Sequence, residues 1–441
     1  MNVLFVSLGC DKNLVDSEMM IGMLAEKGYS FTDDETQAEA VVVNTCCFIN
    51  DAKEESINTI LEMAELKKSG QIKALIVAGC LAQRYQEEIQ EEIEEVDAII
   101  GTSAIDVVAQ TLDEVLAGKG SNHIETLDKA PVSGKKRILT TGGHYAYLKI
   151  AEGCNKHCTY CIIPKVRGNY RSVPMETLLA EAKTLAEGGV RELILVAQET
   201  TLYGMDLYGE KILPKLLEKL SEIEELQWIR ILYCYPEEIT DELIETIKRL
   251  PKVCHYLDIP IQSGSDKVLK RMGRRTDTQQ IGDLIVKLRK EIPDICIRTT
   301  FITGFPGETD EDHEETMVFV NEMEFDRLGV FTYSQEEDTP AAGMDDQVDD
   351  EIKATRQEEM MELQQEIAFE AADAMKGKIL TVMVEGKIAE DDVYVTRTYK
   401  DAPGVDGYLF LQTGRSLMSG DFVKVKVTGS HEYDLIGEPV K

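Results

Sequence analysis

Residues 144–161 read H-Y-A-Y-L-K-I-A-E-G-C-N-K-H-C-T-Y-C. His144–Ala151 has the composition of a strand, and it runs straight into Cys154, Cys158 and Cys161. Five more strand candidates follow: Glu192–Ala197, Trp228–Cys234, Tyr256–Ile261, Ile295–Thr303 and Leu328–Tyr333. Helical patterns separate them at Met175–Glu187, Leu213–Glu224, Thr240–Leu250, Thr278–Ile292 and Asp310–Met323. Six βα units suit a barrel, complete or partial, with its active site at the carboxyl ends of the strands. The loops at those ends carry the three cysteines, then Gln198–Glu199, then Gln262–Ser265. The fifth strand contains Arg298 and ends in G-F-P-G-E, Gly304–Glu308. Glycine turns there let backbone amides approach a nucleoside or a carboxylate.

C-x3-C-x2-C is short enough for one loop to wrap an iron–sulfur cluster. Three thiolates on a four-iron cluster leave one iron open to a substrate or cofactor. Zinc is the rival, but structural zinc takes four ligands. His157 sits between Cys154 and Cys158, where ligating together with both is awkward. Tyr160 is expected to pack beside the cluster or its ligand. Cys234, Cys254 and Cys296 lie in or near strands and read as buried small side chains.

The first third of the chain repeats the theme on a longer scale. Val3–Leu8, Ala40–Val43 and Ala74–Ala78 are apolar, β-branched runs, with helical patterns at Asp16–Lys27 and Asp51–Lys68 between them. Cys10, Cys46 and Cys80 each stand just past the end of one run. In a parallel sheet those ends share one edge, so three residues spread over seventy positions can converge. Gly9 and Gly79 allow the backbone to come close to a bulky inorganic ligand. The alternative is three buried structural cysteines. Cys47, beside Cys46 in extended chain, should point the other way and reads as a bystander. Asp97–Gly101 looks like a further strand, and Gly118–Gly143 like a linker.

A chain of 441 residues exceeds one simple core, so two or three domains are expected. Lys+Arg number 47 against 81 Asp+Glu, a net charge of −34. Such a chain is repelled by phosphate backbones and attracts basic partners, although the charge also serves solubility alone. No apolar run approaches the ~20 residues of a membrane helix. M-N-V-L-F-V-S-L-G-C has no basic n-region of a signal peptide, so a reducing cytoplasm is expected, where clustered thiols point to metal or catalysis.

Gln347–Lys376 is a charged, helix-favouring connector. From Gly377 the period turns strand-like: I-L-T-V-M-V-E, V-Y-V-T-R-T-Y, Y-L-F-L-Q and F-V-K-V-K-V. This suits a small antiparallel barrel of the oligonucleotide-binding type. Residues 376–441 nevertheless hold nine Lys+Arg and ten Asp+Glu, without the basic excess of an RNA module. Lys424 and Lys426 alternate on one strand face and read as solvated.

The C-x3-C-x2-C of Cys154, Cys158 and Cys161 resembles the signature of the radical S-adenosylmethionine (SAM) enzymes. With the N-terminal trio and the small C-terminal barrel, the whole chain is similar to the methylthiotransferases. S-L-G-C-D-K-N-L-V-D-S-E, Ser7–Glu18, looks like the branch acting on an aspartate of small-subunit ribosomal protein S-twelve. C-I-I-P-K-V-R-G, Cys161–Gly168, fits the wider group. Two departures are Cys47, where that branch usually has Gly, and Arg171–Ser172–Val173, where it usually reads R-S-R.

The resemblance implies an α/β fold in three parts. These are a βαβ sheet domain at 1–117, a radical SAM (β/α) barrel at 140–372 and a small antiparallel β-barrel, TRAM, at 375–441. It also implies two 4Fe–4S clusters: one on Cys154, Cys158 and Cys161 that chelates and cleaves SAM, and one on Cys10, Cys46 and Cys80 that carries the sulfur. Tyr160, Gln262, Arg298 and Gly304 are the expected SAM contacts. A SAM-derived radical would take hydrogen from the aspartate β-carbon, which then collects the methylthio group. The expected partners are S-twelve, on the ribosome or an assembly intermediate, and an electron donor. A tRNA adenosine is the alternative substrate, and a non-catalytic iron–sulfur protein the reading from another class.

Overall fold

The structure, a computed structural model, describes residues 1–389 and 392–440. Its first sheet contains β1 Asn2–Ser7, β2 Ser30–Thr32, β3 Ala40–Thr45, β4 Ala74–Gly79 and β5 Ala98–Ile100. The strands are parallel, in the order β2-β1-β3-β4-β5. β3 and β4 are buried at every position, which is why they read as unbroken apolar runs. Met19, Met20 and Leu24 of the helix Asp11–Glu26 cover one face. Ile60, Met63 and Ala64 of the helix Asn50–Lys68 cover the other.

The first helix begins at Asp11, five residues ahead of its apolar stripe. Its opening turns hold Lys12, Asn13, Asp16, Ser17 and Glu18, all buried. Asn13 and Ser17 bond to the sheet's own strand ends, while Lys12, Asp16 and Glu18 meet residues beyond this domain, so no apolar period marks them. β2 was not anticipated. It is a three-residue edge strand, S-F-T, too short to show alternation.

The second sheet holds β6 Tyr145–Lys149, β9 Glu192–Val196, β10 Trp228–Ile231, β11 Val253–Asp258, β12 Cys296–Thr303 and β13 Arg327–Thr332. A short antiparallel pair, β7 Ala151–Glu152 and β8 Arg171–Ser172, brackets the three-cysteine loop. The order β13-β12-β11-β10-β9-β6 is all parallel and unclosed, a partial barrel. Helices pack one face through Leu148, Leu193, Leu195, Ile229 and Ile231. The opposite face, with Tyr147, Ile194, Trp228 and Tyr256, joins a single core with Val15 and Met19 of the first domain and Met383 and Ala402 of the last. The inner face is thus filled by the flanking domains.

The helix Asp350–Asp373 packs along β13, where Gln357 Nε2 donates to the Val330 carbonyl at 2.8 Å. It leads to a closed barrel of β14 Ile379–Lys387, β15 Val393–Thr398, β16 Leu409–Gln412, β17 Phe422–His431 and β18 Asp434–Pro439, in the order β14-β15-β16-β18-β17. β18 reads D-L-I-G-E-P, and its charges and proline hid it. Lys424 and Lys426 are exposed on β17. The small barrel is fastened to the larger sheet by buried charge. The Glu192 carboxylate accepts from Arg230 Nε at 2.7 Å and Arg397 Nη2 at 2.6 Å, and none of the three side chains has any exposure. Desolvating three charges is costly and is offset only while all are paired. Tyr256 Oη donates to Asp406 at 2.8 Å, and Trp228 meets Phe422 edge to face at 4.9 Å.

Candidate metal centres

Cys10, Cys46 and Cys80 each follow a strand of the first sheet at its carboxyl end. Cys10 caps the helix Asp11–Glu26 in extended conformation, Cys46 follows β3, and Cys80 opens the short helix Cys80–Arg84. Gly9 and Gly79 both lie in the left-handed region, at φ +89° and +94°. A Cβ on Gly9 would stand 2.6 Å from the Cys46 Cβ, and one on Gly79 2.4 Å from Asn44 Oδ1. Only glycine permits this approach. Asn13 stitches the edge together, donating to the Leu8 carbonyl at 3.0 Å and the Thr45 carbonyl at 2.8 Å.

Burial pushes the Cys46 thiol up to about 12, and the neighbouring Cys80 and Cys10 push the same way. Burial also raises Cys80, against the pull of the Arg167 guanidinium. Cys46 and Cys80 thus each stand beside another thiol of the trio, and a shared cation would favour their ionised form. Cys47 is fully buried in the apolar core beside Arg84.

The second trio is wrapped by one loop. Gly153 is again left-handed, at φ +80°, and a Cβ there would fall 2.1 Å from the Asn169 carbonyl oxygen. Cys154 N donates to the Gly168 carbonyl at 3.1 Å, and Cys161 N to that of Cys158 at 3.1 Å. Burial raises Cys154 to about 11 and raises Cys161 further, each helped by the other thiols. Cys158 Sγ lies 3.7 Å from Tyr235 Oη and 4.0 Å from Arg274 Nη1. His157 is exposed and left-handed at φ 54°. Among the described residues no three His, Cys, Asp or Glu side chains are set to hold a single ion. The donor sets, all sulfur and three to a site, suit a cluster with an open position.

A polar path, buried except at Gln198, runs from Cys80 of the first trio to the Gly153 amide beside Cys154 of the second. Gly153 N donates to Gln198 Oε1 at 2.9 Å, and Gln198 Nε2 donates to Glu152 Oε1 at 2.9 Å. Glu152 Oε2 accepts from Lys149 at 2.7 Å and from Arg167 Nη1 at 3.1 Å. Arg167 Nε then reaches Cys80 Sγ at 3.3 Å. Asp16 completes the group, accepting from Arg167 at 2.8 Å and also pairing with Lys149. No spacing or motif in the sequence marks Lys149, Glu152 or Arg167 for this role. The available signal was charge where burial is expected: a lysine inside an apolar strand, and charged residues flanking a cysteine loop.

Of the expected SAM contacts, Tyr160 lies against the cysteine loop, its hydroxyl raised by burial first and then by Cys158, and it meets Phe305 at 6.5 Å. Gln262 is left-handed at φ 82°, and its backbone is bonded to Thr300 and Ile302. Arg298 is paired at 3.6 Å with both Asp258 and Asp406. Gly304 donates its amide to Glu308 Oε1 at 2.8 Å, and a Cβ there would meet the Lys353 side chain at 2.1 Å. Its backbone is thus engaged by protein on both counts. Glu199, of the strand-end pair Gln198–Glu199, has its carboxyl pushed up by burial to about 7 against its bond to Thr201 and the nearby Lys156.

The chain matches the Radical SAM superfamily over residues 148–320, the Uncharacterized protein family UPF0004 over 2–101 and the TRAM domain over 377–440. Its curated relatives include proteins named "Ribosomal protein uS12 methylthiotransferase RimO". That of Lachnoclostridium phytofermentans is 62% identical, covering 99% of both chains. That of Thermoanaerobacter sp. is 48% identical over 99% of both, and that of Clostridioides difficile 48% identical over 98% of this chain and 97% of the relative. Among solved structures, the radical SAM methyltransferase TsrM of Kitasatospora setae aligns with a TM-score of 0.55 at 13% identity, covering 77% of this chain and 76% of that one. That likeness is one of fold.

Proposed function

The chain belongs to the uS12 methylthiotransferase family of radical SAM enzymes, and from that membership we propose that it adds a methylthio group to the β-carbon of an aspartate in small-subunit ribosomal protein S-twelve. What carries this reading to the residues is the pairing of two three-thiol sites through one polar path, Cys80–Arg167–Glu152–Gln198–Gly153.

Cys154, Cys158 and Cys161 would hold the 4Fe–4S cluster that works with SAM, and Cys10, Cys46 and Cys80 a second. When bound, these groups supply a carbon-centred radical able to take hydrogen from an unactivated C–H bond, and the sulfur that replaces it, chemistry that side chains alone lack. The protein orients and shields. Tyr235 and Arg274 stand beside Cys158, and Lys156 is held by Glu237 at 3.0 Å and by Glu238. Tyr160, Gln262, Arg298 and Gly304 are the proposed SAM contacts, Gly304 through the turn it permits rather than a free amide. Arg298 is fixed from the small barrel by Asp406, so that domain helps to seat a catalytic-side group.

The net charge of −34 suits a basic protein substrate, and reductive SAM cleavage requires an electron donor. Among the described residues no helix is long and apolar enough to cross a membrane, and we place the reaction in the cytoplasm. The test offers anaerobically reconstituted enzyme S-twelve and tRNA in one tube with SAM and a reductant. Mass spectrometry should find the added methylthio mass on an S-twelve aspartate. The same mass on a tRNA adenosine, with S-twelve unchanged, overturns the assignment.

A further inference from the structure

Arg167 ends the short helix Ile163–Arg167, just past the Cys154–Cys161 loop, yet its side chain reaches the other cysteine site. The side chain is 2% exposed. Nε donates to Cys80 Sγ at 3.3 Å, Nη1 to Asp16 at 2.8 Å and Glu152 at 3.1 Å, and Nη2 to Asn13 Oδ1. Lys149 already serves the same two carboxylates, at 2.7 Å from Glu152 and bonded to Asp16. Two cations and two carboxylates balance, so charge neutrality needs an arginine no more than a second lysine. What the guanidinium adds is reach: it holds Asp16, Glu152, Asn13 and the Cys80 sulfur at once, four partners where an ammonium has only three N–H bonds.

Hydrogen bonds to ligand sulfur draw electron density off the thiolate and favour the reduced cluster, and partners behind the ligands orient them. We propose that Arg167 is a positioning residue for the second cluster: its Nε–H holds the Cys80 thiolate, raises that cluster's reduction potential and ties it to the loop of the first. This rests on the two-cluster reading above.

The test is a redox titration of anaerobically loaded full-length protein, followed by electron paramagnetic resonance, on the wild type, Arg167→Lys and Arg167→Gln. Each signal is assigned by comparison with Cys158→Ala and Cys46→Ala proteins. The midpoint of the Cys10–Cys46–Cys80 cluster should move to more negative potential in both arginine variants, further in Arg167→Gln, while the other cluster's midpoint stays. An unmoved midpoint overturns the proposal. So does a shift in Arg167→Gln alone, which would assign the effect to charge and not to the bond, or an equal shift of both clusters. If Arg167→Gln fails to fold, the charge-conserving Arg167→Lys decides by the same shift. A wild type with one signal only would instead remove the two-cluster reading itself.

Discussion

Burial holds Cys46 and Cys80 of one trio, and Cys154 and Cys161 of the other, away from the charged state. Burial, with the neighbouring thiols adding to it, lifts Cys46 to about 12, and burial lifts Cys154 to about 11 against a backbone bond from Lys156. Metal loading must therefore release protons at both sites. The division of labour gives separable variants. Cys10→Ala, Cys46→Ala and Cys80→Ala should each abolish methylthiolated product yet still yield 5′-deoxyadenosine from SAM. Cys154→Ala, Cys158→Ala and Cys161→Ala should lose both. A Cys80→Ala protein that keeps its first cluster but cleaves no SAM contradicts the division. At this scale the six cysteines were legible because three share one loop and three end apolar runs, with Gly9 and Gly79 marking the close approaches. Arg167 and Lys149 were not, since the Lys149 partner Asp16 lies 133 positions away and nothing local encodes the meeting.

Among the elements, the strap between the larger sheet and the small barrel responds to acidity. His144, just before β6, bonds Glu385 of β14 at 2.8 Å. Burial pulls its imidazole down, but the bond to Glu385 and its charge outweigh this, leaving it above its ordinary 6.5. A raised histidine stabilises the fold fully below the unfolded value, and that contribution is lost as pH rises through the folded one. The gap in Tm between wild type and His144→Gln should thus be widest in mild acid and close in alkali. A gap constant from about pH 6 to 9 contradicts the pairing. The long strands and helices of this region showed in the sequence because their faces alternate or recur with period. The opening turns of Asp11–Glu26 did not, because hydrogen bonds and ion pairs, to the sheet's ends and to the next domain, bury their polar side chains. β18 did not, because its pairing on both sides, not its composition, makes it a strand.

Over the whole molecule, the flanking domains fill the inner face of an unclosed sheet, and the first brings its cysteines to the loop of the second. The small barrel is seated by the buried pair Arg397–Glu192 and the partly exposed pair Arg327–Asp401, a lock more than a loose module. The account stands on two iron clusters in one chain. The most direct measurement counts iron and acid-labile sulfide per chain in protein prepared and loaded without oxygen. Two sites predict about eight of each. About four of each, or zinc in their place, would contradict the account.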